Sequence, residues 1–352
     1  MMKKKVAKGS LLLALVLGNV WAANAQPPLV NVDANTFGQR SVVPIHEVLI
    51  GPKKVPRYTI NVIVNGQPIQ AGLDTGSTGL RLLPRAVERA GVSPSGVDDT
   101  YGYGSGVTLI GPNTLASVQI GSSKKEISLQ AVRITGCRGG GIDCPAGKLT
   151  PSQYGLMGSG YPGQGFPAIV GIRFGSKLAP NPLVKLGVDS WIVHIPQRGE
   201  GDGFLILNPD SHDIKDFVPL LSKGNPTGSV DGCIKVARLE AQEICSAILW
   251  DTGAPAITVR NAERPRAWQP GAPIEMRFTS ASGAPLPSIE FRAGDPERRG
   301  RANFSPAPNR PGVQISAGLL PYYFYDVLYN AKTGGMAVHA NTANHDFPSS
   351  RK

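Results

Sequence analysis

Leu73-Asp74-Thr75-Gly76-Ser77 and, 177 positions later, Trp250-Asp251-Thr252-Gly253-Ala254 decide how this chain reads. Each follows an apolar run, so a strand ending in Asp-Thr-Gly occurs once in each half of the 352 residues. Asp and Gly mark many turns, and a single copy would carry little. Two copies in matching contexts point to two carboxylates, Asp74 and Asp251, brought together. Such a pair cannot both ionise cheaply and shares one proton. One member can then act as general base on a bound water while the other, protonated, polarises or protonates a carbonyl. The flanking residues have physical roles. The apolar strand carries the carboxylate into a dry interior, where electrostatics are strong. Gly76 and Gly253 let the backbone turn sharply beside it. Thr75 and Thr252 complete the loops, and the Ser77 hydroxyl can bond an outer carboxylate oxygen.

Working outward, residues 58–64 and 68–73 read as strands around Asn65-Gly66, a strong hairpin turn. Further strands are expected over 107–110, 115–120, 127–132, 190–195 and 204–207, with a short helix over 84–90 and another helical candidate at 167–174. Gly (43) and Pro (31) are abundant and helical periodicity is thin, which favours an all-β chain of short strands and many turns.

Residues 1–25 have the form of a signal peptide: Lys3, Lys4, Lys5 and Lys8, an apolar core at 11–20, then Ala23-Asn24-Ala25. The core is too short for a comfortable membrane span, so no stable membrane anchor is expected and the address is periplasmic or secreted. Loss of those four lysines takes the formal charge from +11 to +7. Much of the remainder sits in Arg264, Arg266, Arg292, Arg298, Arg299 and Arg301, without interleaved aromatics; this reads as a solvated basic loop, and no nucleic-acid partner is expected. Four cysteines in an exported chain imply two disulfides. Of the three connectivities we take nearest neighbours, Cys137 with Cys144 and Cys233 with Cys245. Five scattered histidines lack ligand spacing, so no metal or cofactor is expected. Gly158-Ser159-Gly160-Tyr161-Pro162-Gly163 fits a dinucleotide-binding pattern on paper, but Pro162 stands where the helix should begin, and the stretch reads as a loop.

With its paired Asp-Thr-Gly motifs the chain resembles the pepsin family of aspartic peptidases over roughly residues 55–340. Tyr101-Gly102-Tyr103-Gly104-Ser105-Gly106 looks like the family's flap, the hairpin that closes over substrate, with Tyr101 matching its tyrosine and Tyr103 the alternative if the register slips. Leu156-Met157-Gly158 and Ser316-Ala317-Gly318 resemble the apolar-Gly segments that pack beside each catalytic loop. Val118-Gln119-Ile120-Gly121 resembles the strand after the flap, residues 321–340 the C-terminal strands, and Cys245 a cysteine ahead of the second motif. The resemblance implies a two-lobed acid-protease fold with a cleft between lobes: a tail at 26–55, an N-terminal lobe at 56–197, a C-terminal lobe at 198–345 and a tail at 346–352. It also implies a monomeric endopeptidase acting on extended polypeptides, with hydrophobic side chains about the scissile bond. A binding protein that kept the fold and lost turnover is the alternative. Three departures stand out. Ala254 replaces a hydroxyl, which should raise the pair's pKa values and favour a less acidic optimum. Arg81 stands where the family usually has a Trp supporting the flap tyrosine. Only about thirty residues separate the cleavage site from the first strand.

Overall fold

The computed structural model describes residues 39–174, 180–196, 202–222, 228–236, 243–261, 268–294, 302–306 and 313–341. The expected signal peptide, the C-terminal tail and most of the basic stretch (Arg264, Arg266, Arg298, Arg299, Arg301) lie outside them.

The first half supplies β1 (Ser41–Ile50), β2 (Val55–Val64), β3 (Gln67–Asp74), β4 (Thr78–Leu82), the short helix α1 (Pro84–Arg89), β5 (Asp98–Gly102), β6 (Val107–Ile120), β7 (Ser123–Ala131), β8 (Ile134–Cys137) and β9 (Ala168–Ile172). The second supplies β10 (Ser190–His194), β11 (Gly203–Leu207), β12 (Val218–Pro219), β13 (Ser229–Val236), β14 (Ile244–Trp250), β15 (Ile257–Asn261), β16 (Pro273–Phe278), β17 (Ile289–Arg292), β18 (Ala302–Pro306), β19 (Gln314–Gly318), β20 (Tyr325–Asn330) and β21 (Gly335–Ala340). The all-β expectation holds. Pro84 opens α1, where its missing N–H costs nothing. Asn65 and Gly66 both have positive φ, at 47° and 82°, as the tight β2–β3 turn demands.

One local arrangement occurs twice. In the first half β3 runs parallel to β9, with Asp74 opposite Gly171, and β4 returns antiparallel to β9. In the second, β14 runs parallel to β19, with Trp250 opposite Gly318, and β15 returns antiparallel to β19. Each half thus threads an Asp-Thr-Gly loop between two strands that share one neighbour. β3 becomes wholly buried as it nears Asp74, and β4 and β9 are buried along their length.

Two sheets result: a 14-stranded one whose path runs β12-β21-β20-β10-β11-β1-β2-β3-β9-β4-β7-β6-β5, with β8 paired to β6 off that path, and a 7-stranded one, β17-β16-β13-β14-β19-β15-β18. Two expectations change. Residues 41–50, read as tail, are strand β1, which bridges β2 and β11. Residues 168–172, inside the helical candidate, are strand β9, because every residue there is buried and Ile, Val and Ile pack on both faces. The lobe boundary at 197/198 falls outside the described residues, between two strands that pair with each other, β10 and β11. The C-terminal hairpin β20–β21 joins the long sheet through β10, so both halves of the chain share it. Beneath that junction Trp191 stacks on Tyr329 at 5.6 Å, and Phe174 packs edge-on to Tyr329 at 5.5 Å.

Candidate active site

Asp74 ends β3, whose last residues are buried, and Asp251 immediately follows β14, which is buried at Ile248 and Trp250. The two loops lock together reciprocally. The Thr75 amide donates to Thr252 Oγ1 at 3.0 Å, and the Thr252 amide donates to Thr75 Oγ1 at 2.9 Å. Each hydroxyl then donates across the junction, Thr75 to the Trp250 carbonyl at 3.0 Å and Thr252 to the Leu73 carbonyl at 2.7 Å. Every polar atom of both buried threonine hydroxyls and amides is therefore spent on the other loop, which fixes the spacing of the carboxylates. Both glycines are required for that approach. A Cβ on Gly76 would stand 2.2 Å from Asp251 Cγ, and one on Gly253 would stand 2.7 Å from Asp74 Oδ1.

The two carboxylates are not equivalent. Asp74 accepts from the Gly76 amide at 2.8 Å, the Ser77 amide at 3.1 Å and the Ser77 hydroxyl at 2.6 Å. Asp251 accepts from the Gly253 amide at 2.8 Å, and Ala254 offers no hydroxyl. Burial, the neighbouring Asp74 charge and a hydrogen bond with Asp74 push the Asp251 carboxyl up to about 8, against the opposing pull of the Gly253 amide and Arg173. Of the two carboxyls it is Asp251 that is raised, while the Asp74 oxygens face three donors.

The β5–β6 hairpin borders the same pocket as Asp74 through Tyr103 and Ser105. Tyr101, at the end of β5, has its ring 3.3 Å from the Arg81 guanidinium carbon, and Tyr103 packs edge-on to Tyr101 at 5.0 Å. The Tyr103 hydroxyl is buried without a hydrogen-bond partner, and burial pushes its ionisation far above the ordinary tyrosine range. A pocket beside Asp74 and Gly253 is walled by Tyr103, Val107, Tyr154, Leu156 and Ile169. Across the cleft, Arg260 on β15 donates to the Gly104 carbonyl at the hairpin tip at 3.2 Å. Both expected disulfides are present, Cys137–Cys144 and Cys233–Cys245.

Residues 60–159 match the family model described as aspartyl protease. In three dimensions the chain is similar to the aspartic proteinase from Irpex lacteus, with a TM-score of 0.53 and 14% identity, over 88% of this chain and 99% of that one. This is the pepsin fold. No curated protein is significantly similar to the chain in sequence.

Within the pepsin fold, the expected residues fall as follows. Asp74, Thr75, Gly76, Ser77, Asp251, Thr252 and Gly253 converge on one site; Tyr103 shares a pocket wall with Asp74, and Tyr101, Gly102 and Gly104 adjoin it on the same hairpin. The Ser316-Ala317-Gly318 segment does lie beside the second loop, Gly318 taking the Asp251 amide at 3.3 Å. Its counterpart beside the first loop is Gly171 of β9, not Leu156-Met157-Gly158; that segment instead walls the pocket. Arg81 lies as a flat cation against the Tyr101 ring. Sequence reasoning missed Tyr322, whose hydroxyl donates to Thr75 Oγ1 at 2.8 Å from beneath, and Arg260. Nothing local marks a buried tyrosine as a hydrogen-bond donor to a residue 247 positions away.

Proposed function

We propose that this chain is an aspartic endopeptidase that hydrolyses peptide bonds of extended polypeptides held between the β5–β6 flap and the Asp74–Asp251 pair. The observation that carries the reading is the reciprocal Thr75–Thr252 lock, which sets two carboxylates of unequal surroundings side by side. Asp74, anionic, takes a proton from a water between the carboxylates as the water oxygen attacks the carbonyl carbon. Asp251 delivers its proton to the carbonyl oxygen. The resulting gem-diol collapses as the proton on Asp74 passes to the departing amine nitrogen and a hydroxyl proton returns to Asp251, breaking the C–N bond. No cofactor enters this scheme. The apolar pocket walls favour a hydrophobic side chain beside the scissile bond. We place the activity outside the cytoplasm, in a monomer; two disulfides support an oxidising compartment. A binding protein that has lost turnover is the second reading, favoured by the single donor left to Asp251.

The test is incubation of residues 26–352 with an unfolded protein mixture from pH 3 to 8, reading cleavage sites by mass spectrometry. Cleavage that vanishes in Asp74→Asn and with pepstatin is expected, with a profile reaching toward neutral pH. No cleavage by a folded, disulfide-bonded sample would favour the binding protein, and a peak well below pH 4 would contradict the assignment of the proton to Asp251.

A further inference from the structure

The cleft is charged in a way the carboxylate pair does not explain. With one proton shared, Asp74 and Asp251 carry a single negative charge. Among the described residues, Asp74 is the only acidic side chain of the pocket wall. Around them stand guanidinium groups. Arg81 lies beneath Tyr101, 2% exposed and with its Nε–H unpartnered. Arg57, 5% exposed, lines the pocket, where it bonds the Met157 carbonyl at 3.0 Å and Ser159 Oγ at 3.1 Å. Arg138 brings a terminal nitrogen to 3.3 Å from where a Gly102 Cβ would be, on one side of the flap. Arg260 reaches the flap tip from the opposite lobe and, among the described residues, donates to the neutral Gly104 carbonyl. Among the described residues neither Arg138 nor Arg260 is paired with a carboxylate. A half-buried guanidinium bonded to a neutral oxygen keeps most of its five donors, and a carboxylate is the planar, two-oxygen acceptor that fits them.

We propose that Arg260 determines specificity: the cleft takes polypeptides that place an apolar side chain in the pocket and a Glu or Asp side chain next to it, received by the Arg260 guanidinium. This rests on the peptidase reading for the position of the chain in the cleft. In an extended substrate, successive side chains point to opposite faces. When one enters the pocket of the first lobe, its neighbour faces away from that wall, toward the second lobe and β15. Arg138, on the other flank of the flap, adds to the positive potential that draws an acidic segment in.

The experiment uses fluorescently labelled peptides with a central apolar pair flanked by Glu, or by the isosteric Gln, bound to the Asp74→Asn chain so that hydrolysis does not interfere. Anisotropy titration at low salt is expected to show the Glu peptide binding at least about tenfold more tightly, the gap shrinking in about 0.5 M salt. In an Arg260→Glu, Asp74→Asn chain, verified as folded by circular dichroism, the ratio is expected to invert. Equal binding of both peptides, binding of neither, or a Glu preference that survives Arg260→Glu overturns the proposal. Cleavage by the unsubstituted chain separates the two readings. Binding of the Glu peptide without hydrolysis sinks the peptidase alone, and equal hydrolysis of Glu and Gln peptides sinks the specificity alone.

Discussion

At the scale of single residues, burial and the Asp74 charge raise Asp251, and the asymmetry between Ser77 and Ala254 leaves it fewer donors to oppose that rise. Ser77 spends its hydroxyl on Asp74, and the matching position next to Asp251 is a methyl group. With its folded value near 8 and an ordinary value of 3.8, Asp251 keeps a proton on folding that the unfolded chain has released. The unfolded state binds fewer protons between those values, so this group's contribution to stability is largest below about pH 4 and declines as pH rises through about 8. Ala254→Ser adds a donor to the ionised form. It is expected to pull the alkaline limb of the pH–rate profile to lower pH and to flatten the fall of Tm between pH 5 and 9; an unchanged limb would show that the hydroxyl does not reach Asp251. Arg81 poses a second residue-scale question. A stacked cation in a dry site is worth up to about 2 kcal/mol, against the cost of burying its charge. Arg81→Leu should free Tyr101 and raise KM more than it lowers kcat, and Arg81→Trp, flat and neutral, should restore KM. A loss confined to kcat, or no rescue by Trp, would mean that Arg81 does not act by positioning the ring.

At the scale of elements, the flap is steadied by its neighbour. β8 pairs with β6 from Val107 to Ile110, the Arg138 amide donates to the Gly106 carbonyl at 2.8 Å, and the Cys137–Cys144 bridge closes the loop that follows. Closing a loop with a sequence separation of 7 stabilises by about 2–3 kcal/mol in the chain-entropy description. The Cys137→Ser, Cys144→Ser pair is expected to lower stability by about that amount and to raise hydrogen exchange in residues 101–106 above the rest of the long sheet. Equal exchange throughout would show the loop to be independent of the flap. Elements also mark what the sequence discloses. β2, β3 and β14 were legible because each has an apolar pattern beside an informative turn or Asp-Thr-Gly motif. β1 was not: Pro44 and His46 interrupt its alternation, and its partners, β2 and β11, include one about 160 positions away. β9 was misread because five buried residues in a row have no period to distinguish strand from helix. Within the site, the loop residues announced themselves by local motif. Tyr322, Arg260 and Gly171 did not, since each owes its role to a partner that only the folded topology supplies.

At the scale of the whole molecule, the two halves are less separable than two Asp-Thr-Gly repeats imply. The long sheet takes strands from both ends of the chain, and β10 stands between β11 and β20. The aromatic cluster under it joins Phe174, Trp191 and Tyr329, drawn from three separate stretches of sequence. The same Tyr329 is hydrogen-bonded through its hydroxyl to Tyr322, which holds Thr75 in the loop lock. Packing at the sheet junction is thus one contact chain away from the spacing of the carboxylates. Trp191 is fully buried, so Trp191→Ala should cost about 3–5 kcal/mol. If the shared sheet couples the halves, the variant should still unfold in one transition, shifted as a unit, when followed by both Trp fluorescence and far-ultraviolet circular dichroism. Independent lobes would instead give two transitions, only one of them moved. That result would place the catalytic geometry under the control of the loop lock alone, because the carboxylates would then depend on no packing outside their own loops.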